Sequence, residues 1–436
     1  LAQAAARVDD NRSTQTGWLR SSLSDRPHEY DPARAQEIYS DALEAWRRNP
    51  LAWRAISITT DYVVGDRLAI SSPYPALERF IQAFWNHPKN RMPQRLETMC
   101  DELSRAGDLF VLLFRNPQDG MSYIRFVTKD RIQRIETAAN DWEVEQRYLE
   151  LPDGPAGEPR AWLSPQHPAA SEAEAVMLHY AINRPLGAVT GESDLTTMLP
   201  WMQRYNRMVE DRVRLHAAMR SFLWMVTVPT PRVREKLEQY RLPPEPGSII
   251  VKDESEQWQA NAPNLRGLDA ARDLQAVRGL VDAGSGYPPH WRGDAGDISL
   301  ATAQAMQGPT ERHLRRRQQY FLWMLQDILY HAYRRSVEIG RGRPLAATDY
   351  RKLFHVGAQD ISRWDNESLA RSARDVAQAL SAMHVQLGGG GAEFLRKSLA
   401  ATFKFMGEPL DEAELTRMVA QAAQAAPGGL GQSAGG

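Results

Sequence analysis

Pro200–Leu223 reads PWMQRYNRMVEDRVRLHAAMRSFL. Leu195, Met198 and Met202 lead into Tyr205, Val209, Val213 and Ala217, the spacing of one face of a helix. Ser193 suits the cap, because its oxygen can accept from unpaired backbone N–H groups. Pro200 should kink or restart the helix, which from there would run about 36 Å at 1.5 Å per residue. A short α/β stretch follows, with strand Trp224–Val228, helix Pro231–Tyr240 and strands Ser248–Lys252 and Gln257–Ala260. A second helix, Leu268–Ala283, ends at Gly284-Ser285-Gly286. Two helices bracketing a small α/β insert decide the fold.

Upstream, Asp31-Pro32 and Asn49-Pro50 each pair a cap with proline at the first helical position. They open helices that should run to about Arg48 and to Gly65. Helical patterns cover 76–86 and 93–106. Strands are predicted at Gly107–Arg115, Ser122–Lys129 and Trp142–Leu149, then at Ala175–Ile182. Pro152–Pro168 holds five prolines and two glycines and reads as a loop or insertion. Downstream lies the longest helical pattern, Ser299 to Glu338, interrupted at Gly308-Pro309. It carries Leu314, Phe321, Leu325, Ile328 and Ala332 on one stripe. A strand at Tyr350–Val356 precedes helices at about 366–385, 392–406 and 411–425, with a hinge at Gly388–Gly391. The fold class is α+β, mainly helical, in an elongated subunit.

Composition narrows the function. With 436 residues the prior is about three domains. Lys plus Arg number 53 against 54 Asp plus Glu, a net charge of -1, which excludes a strongly basic nucleic-acid coat and an acidic tail. The lone Cys100 excludes an internal disulfide and any multi-cysteine metal site. No run of about 18 apolar residues predicts a membrane span, and Leu1–Asp25 lacks a signal-peptide design. A soluble protein of a reducing compartment is expected, with a trimmed or processed N-terminus.

Catalytic signatures are missing. There is no Gly-Lys dipeptide and so no Walker A loop, and HExxH, GxSxG and GxGxxG are absent. The histidines are scattered and the sequence offers no catalytic residue, metal ligand set or cofactor motif. Asp294 and Asp297 lie three apart, but two carboxylates fit a solvated, Gly-turned loop better than a cation site. Arg204, Arg207, Arg212 and Arg214 mark one long helix and Arg312, Arg315, Arg316 and Arg317 the other. These fit a nucleic-acid footprint, or solvated faces and inter-subunit pairs with Glu210, Asp211 and Glu311; interleaved acids favour the latter. Trp201 and Trp323 fall in apolar helical patterns, whereas Trp291 lies in a polar loop.

The residue order resembles the portal proteins of tailed bacteriophages, the head-to-tail connector family. The likeness covers roughly residues 30 to 425. It is carried by Asn49-Pro50, Ala55-Ile56 and Asp61-Tyr62-Val63-Val64-Gly65-Asp66; by Gly107-Asp108-Leu109-Phe110-Val111 and Ile124–Ile135; and by His179–Asn183 with Gly191-Glu192-Ser193-Asp194-Leu195. Gly286-Tyr287-Pro288-Pro289 followed by Ala301-Thr302-Ala303 completes the order. The resemblance implies an arm (1–30), a wing (31–195), a stem helix (196–223), a clip (224–265) and a second stem helix (266–286). It further implies a tunnel loop (287–297), a long wing helix and strand (298–365), crown helices (366–426) and a disordered tail (427–436).

By the same resemblance the subunit forms a ring, a dodecamer, at one capsid vertex of the virion, after assembly in the host cytoplasm. The ring would pass double-stranded DNA without sequence preference. It would dock the terminase large subunit, the major capsid or scaffolding protein and a head–tail adaptor, and need no cofactor, metal or membrane. Tyr287, His290, Trp291, Arg292, Asp294 and Asp297 would line the channel, with Trp291 a flat surface and Arg292 a phosphate partner on a mobile tip. The bland alternative is an ordinary surface loop with Trp291 tucked against its own subunit. Arg232, Arg234, Glu235 and Glu238 would face terminase or adaptor. The tunnel loop departs from the family in being polar and Gly-rich. The competing readings are another phage head or connector protein without a DNA-gating role, and a nucleic-acid enzyme.

Overall fold

A computed structural model of the chain describes residues 32–65, 68–152, 157–220, 223–239, 255–261, 267–293, 300–340 and 353–358, with isolated positions besides. The chain divides into two compact units, Leu1–Thr59 with Thr98–Met306 and Thr60–Glu97 with Gln307–Gly436.

Helices α1 (Pro32–Arg48) and α2 (Pro50–Val64) meet at Asn49. Its Oδ1 accepts from Leu51 N at 2.8 Å, so it caps α2, and Gly65 ends that helix at φ 61°. Helix α4 (Met92–Ala106) runs into β2 (Asp108–Arg115) through Gly107, whose φ is 82°. An ideal Cβ on Gly107 would stand 2.4 Å from the Glu192 carbonyl carbon, and one on Gly191 2.3 Å from Gly107 O. Only two glycines permit this crossing of backbones.

The main sheet has the order β3-β2-β7-β6-β5-β4, with β3 at Ser122–Val127, β4 at Ile132–Ala138, β5 at Asp141–Glu150, β6 at Arg160–Leu163 and β7 at Ala175–Ala181. All its pairings are antiparallel except β6 with β7. β2 is buried on both faces from Asp108 to Leu113, which is why its sequence is an unbroken apolar run instead of an alternation. Phe110, Leu112, Ile135, Tyr148, Met177 and Val189 form one core beside it. Two strands escape the sequence pattern. β4 carries charged residues and three register shifts, and β6 falls inside the proline-rich stretch read as a loop.

Ser193 caps a turn and not the long helix: Leu195 N donates to its Oγ at 3.1 Å, and α5 begins at Leu199 (Leu199–Arg220). Pro200 therefore sits in the first turn, where its missing N–H breaks no hydrogen bond. α5 packs on α7 (Gly267–Ser285), and β8 (Leu223–Thr227) pairs antiparallel with β9 (Gln257–Asn261) between them in sequence, with α6 (Val233–Gln239) inside the insert.

In the second unit α3 (Pro75–Trp85) packs against a short antiparallel pair, β1 (Leu68–Ser71) with β10 (His355–Ala358). α8 runs unbroken from Leu300 to Glu338, through Pro309, which corrects the expected interruption. Leu314, Phe321, Leu325, Ile328 and Ala332 are all buried, as their stripe predicts, and Tyr333 meets Phe80 edge-on at 5.1 Å. The terminal arm and tail, the Asp31 cap, strand Ser248–Lys252, the Gly388–Gly391 hinge and nearly all of the three C-terminal helices lie outside the described residues.

Candidate functional site

The segment after α7 is a short strap whose geometry follows from its residues. Pro288 and Pro289 fix φ at its base, and Pro289–Arg292 close a 3-10 turn. Tyr287 is buried, and its hydroxyl lies 2.5 Å from Thr59 Oγ1 on α2. Its ring stacks on Trp291 at 6.3 Å. Arg54 Nε, also on α2, donates to Trp291 O at 3.3 Å. Trp291 and His290 are half-buried.

Arg292 is where the structure departs most from the sequence reading. Its side chain is fully buried: Nη1 pairs with Asp282 Oδ1 at 2.8 Å and donates to Val281 O and Ser285 Oγ at 3.0 Å each. Nη2 donates to Leu51 O at 3.4 Å. Burial lowers the guanidinium's pKa, and the Asp282 carboxylate works against that shift. The guanidinium is shut off from any phosphate by its enclosure, although its Nε–H lacks a partner among the described residues, so the expected role of Arg292 as a phosphate partner is corrected for this conformation. The strap is tucked against its own subunit. Asp294 and Asp297 lie outside the described residues.

The other predicted site residues stand on the insert. Arg232 closes a 3-10 turn (Thr230–Arg232), Arg234, Glu235 and Glu238 lie on α6, and all four are exposed. What holds α6 down is Lys236, whose Nζ reaches the buried Glu256 at 2.6 Å. Val233 and Leu237, one turn apart on α6, are exposed apolar residues beside those charges. The basic clusters divide. Arg204 lies 4.8 Å over the Trp201 ring and Arg214 pairs with Glu210 at 2.5 Å, whereas Arg312, Arg315 and Arg316 are exposed on α8 and Arg317 is buried.

One polar constellation was missed by sequence reasoning. His179 on β7 is completely enclosed, with Nε2 2.9 Å from Asp108 Oδ1 and Nδ1 2.9 Å from Glu145 Oε1. Lys129 Nζ reaches the other Asp108 oxygen at 2.5 Å, and Gly191 N donates to Asp108 Oδ1 at 2.7 Å. Burial alone would lower the pKa of His179, but the two carboxylates outweigh it and raise it to about 9. Lys129 and His179 hold Asp108 below its ordinary range against the effect of burial, and His179 does the same to Glu145. A doubly protonated imidazole has no lone pair to act as a base, and its ring is stacked on Phe110 at 4.4 Å. The cluster is an electrostatic rivet for the glycine crossing and not a catalytic centre. The four residues lie far apart in sequence with no motif spacing; only a histidine within an apolar strand hinted at it.

Among the described residues no group of three or more His, Cys, Asp or Glu could hold a metal ion, and no helix is long and apolar enough to cross a membrane. No family model matches the chain, and no curated protein does. Solved structures do match in fold. A chain in the virion of a native gene transfer agent particle superposes with a TM-score of 0.53 at 14% identity, covering 86% of this chain and 94% of its own. A chain in the neck of the native particle, computed with C12 symmetry, gives 0.51 at 14% identity over 85% and 94%. An HK97-family phage portal protein from Corynebacterium diphtheriae aligns at a TM-score of 0.35 and 12% identity over 61% and 83%, too loosely to argue from. The protein therefore shares its fold with a chain in the neck of a gene transfer agent particle.

Proposed function

We propose that the chain is the subunit of a phage portal, a non-enzymatic ring at one capsid vertex through which DNA is packaged and ejected. The observation that carries this reading is the match along 94% of a particle-neck chain, together with α5 and α7 bracketing the small insert. The C12 symmetry of that neck supports a dodecamer. The elongated form and the wing, stem, clip and crown divisions are part of the proposal. Double-stranded DNA is the passing partner, and a net charge of -1 suits it, because many fixed phosphate contacts would hold a sliding polymer tightly and in a salt-dependent way.

The insert is the docking surface for the terminase large subunit and the head–tail adaptor, and the wing meets the major capsid or scaffolding protein. Arg232, Arg234, Glu235 and Glu238 are exposed, as docking requires. In this reading the loop 287–297 faces the channel, with the half-buried Trp291 and His290 its aromatic surface and the buried Tyr287 its anchor on Thr59. A portal variant lacking the insert should assemble into particles but package no DNA; normal packaging would reject the docking role.

The burial of Arg292 favours a second reading, a head or connector protein with no DNA-gating role. In that case alanine at Trp291 leaves DNA translocation and retention unchanged. The gating reading predicts impaired translocation with ring assembly intact.

A further inference from the structure

Two exposed surfaces of the chain complement one another. The first lies on α8. Arg312, Arg316, Gln319 and Trp323 recur at three- and four-residue spacing, an outward stripe opposite the buried Leu314, Phe321, Leu325 and Ile328. From Arg312 to Gln326 the helix holds four arginines and no acid. Arg312 and Arg316 are exposed and have no ion pair among the described residues, and like charges four residues apart on a helix repel. Further along the same face, Gln319, Tyr320, Leu322, Trp323 and Gln326 line an open hollow, with the Tyr320 and Trp323 rings 5.4 Å apart.

The second surface is the tip of the β4–β5 hairpin. Ala138 pairs with Asp141 across a two-residue turn, Ala139-Asn140, in which Asn140 has φ 62°. Asp141 Oδ1 accepts from Glu143 N at 3.0 Å, which fixes the backbone at the turn. Trp142 is 42% exposed between these two exposed acids. Thr137–Val144 contains no cation, and neither acid has an ion pair among the described residues. Strand alternation sets the acids on one face of the tip and Trp142 on the other, about 10 Å across. Arg316 and Trp323, seven residues apart, are also separated by about 10 Å along the helix axis. The tip taken end-on therefore matches the stripe in charge, in aromatic content and in span, and Trp, Tyr and Arg are the residues that dominate binding at interfaces.

From this match we infer that α8 of one copy receives the β4–β5 tip of a second copy of the chain, with Asp141 and Glu143 on Arg312 and Arg316 and Trp142 in the Tyr320–Trp323 hollow. The inference rests on the ring reading for its partner and goes beyond it in naming the two surfaces. Because they are different surfaces, the contact is head-to-tail, and it closes into a ring or runs on as an open chain.

Charge exchange on the full chain tests it, with self-association read by analytical ultracentrifugation and closure by electron microscopy. Arg312→Glu with Arg316→Glu, the face variant, and Asp141→Lys with Glu143→Lys, the tip variant, should each weaken self-association at least tenfold. An equimolar mixture of the two should regain wild-type association, with the variants alternating, and so should one chain carrying all four substitutions. All four side chains are exposed, so folding is expected to hold; where a charge variant does not fold, Trp142→Ala should weaken association severalfold in its place. Wild-type rings whose association is unchanged in both variants, or is lost and not restored by the mixture, would overturn the inference and leave the ring reading standing. A face variant that associates normally but no longer retains a random-sequence DNA duplex would assign this face to nucleic acid and overturn it too. Open wild-type chains that both variants break and the mixture restores would uphold the contact and count against the ring. A wild type that does not self-associate at any protein concentration would overturn both.

Discussion

His179 is fully enclosed, yet it carries a proton because Asp108 and Glu145 face its two nitrogens. Its folded pKa of about 9 lies above the ordinary 6.5. The stability it contributes is therefore fully present below pH 6.5 and is lost as pH rises through about 9. Asp108 and Glu145 are shifted down, so their contribution holds at neutral pH and is lost as pH falls below the ordinary carboxylate range. Urea unfolding across pH should show both limbs. Asp108→Asn leaves the buried His179 cation with Glu145 alone and takes the carboxylate from Lys129; it should cost about 3–5 kcal/mol at pH 7 and weaken the alkaline limb. A wild-type alkaline limb in Asp108→Asn would refute the assignment. Gly191→Ala tests the crossing beside it. Its Cβ would meet Gly107 O at 2.3 Å, backbone against backbone, so a large loss of thermal stability is expected and a wild-type Tm would contradict the fit.

At the scale of elements, local chemistry was legible where one residue decides. Asn49 capped and Gly65 stopped a helix as the sequence predicted, because caps act through their own backbone neighbours, whereas Pro200 lies in the first turn of α5 and restarts no helix begun at Ser193. β4 and β6 were not legible, since their pairing partners and not their own alternation make them strands. Pro309 was misread for a related reason: the packing that holds α8 lies in the part after it, from Thr310 and Leu314 onward, and is tertiary, while Met306 before it is exposed. The strap failed at the residue level. Arg292 reads as a loop cation until the fold brings Asp282 and the Leu51 carbonyl around it. Helix α8 supplies a test of its own. Gly308 lies in the helix interior, exposed, with nothing within 4 Å of a Cβ, so Gly308→Ala should stabilise by about 0.8–1 kcal/mol. A lowered Tm in that variant would show that the position needs glycine for a reason other than helix geometry.

For the whole molecule, the fold is shared along 94% of a particle-neck chain, and two packed helices, α5 and α7, bracket a small α/β insert. Stem-like helices α5 and α7 leave Val209, Val213, Leu215 and Leu280 exposed in the single subunit, surface that neighbouring copies in a closed ring would cover. The two charge signs are balanced overall, which favours a conduit over a tight nucleic-acid binder. The most direct measurement is electron microscopy of the purified full chain, with class averages collected over a range of salt and protein concentrations. The account predicts closed rings of about twelve copies, matching the symmetry of the neck that shares the fold, around an open central channel. Single subunits under every condition, or assemblies with no central channel, would contradict it.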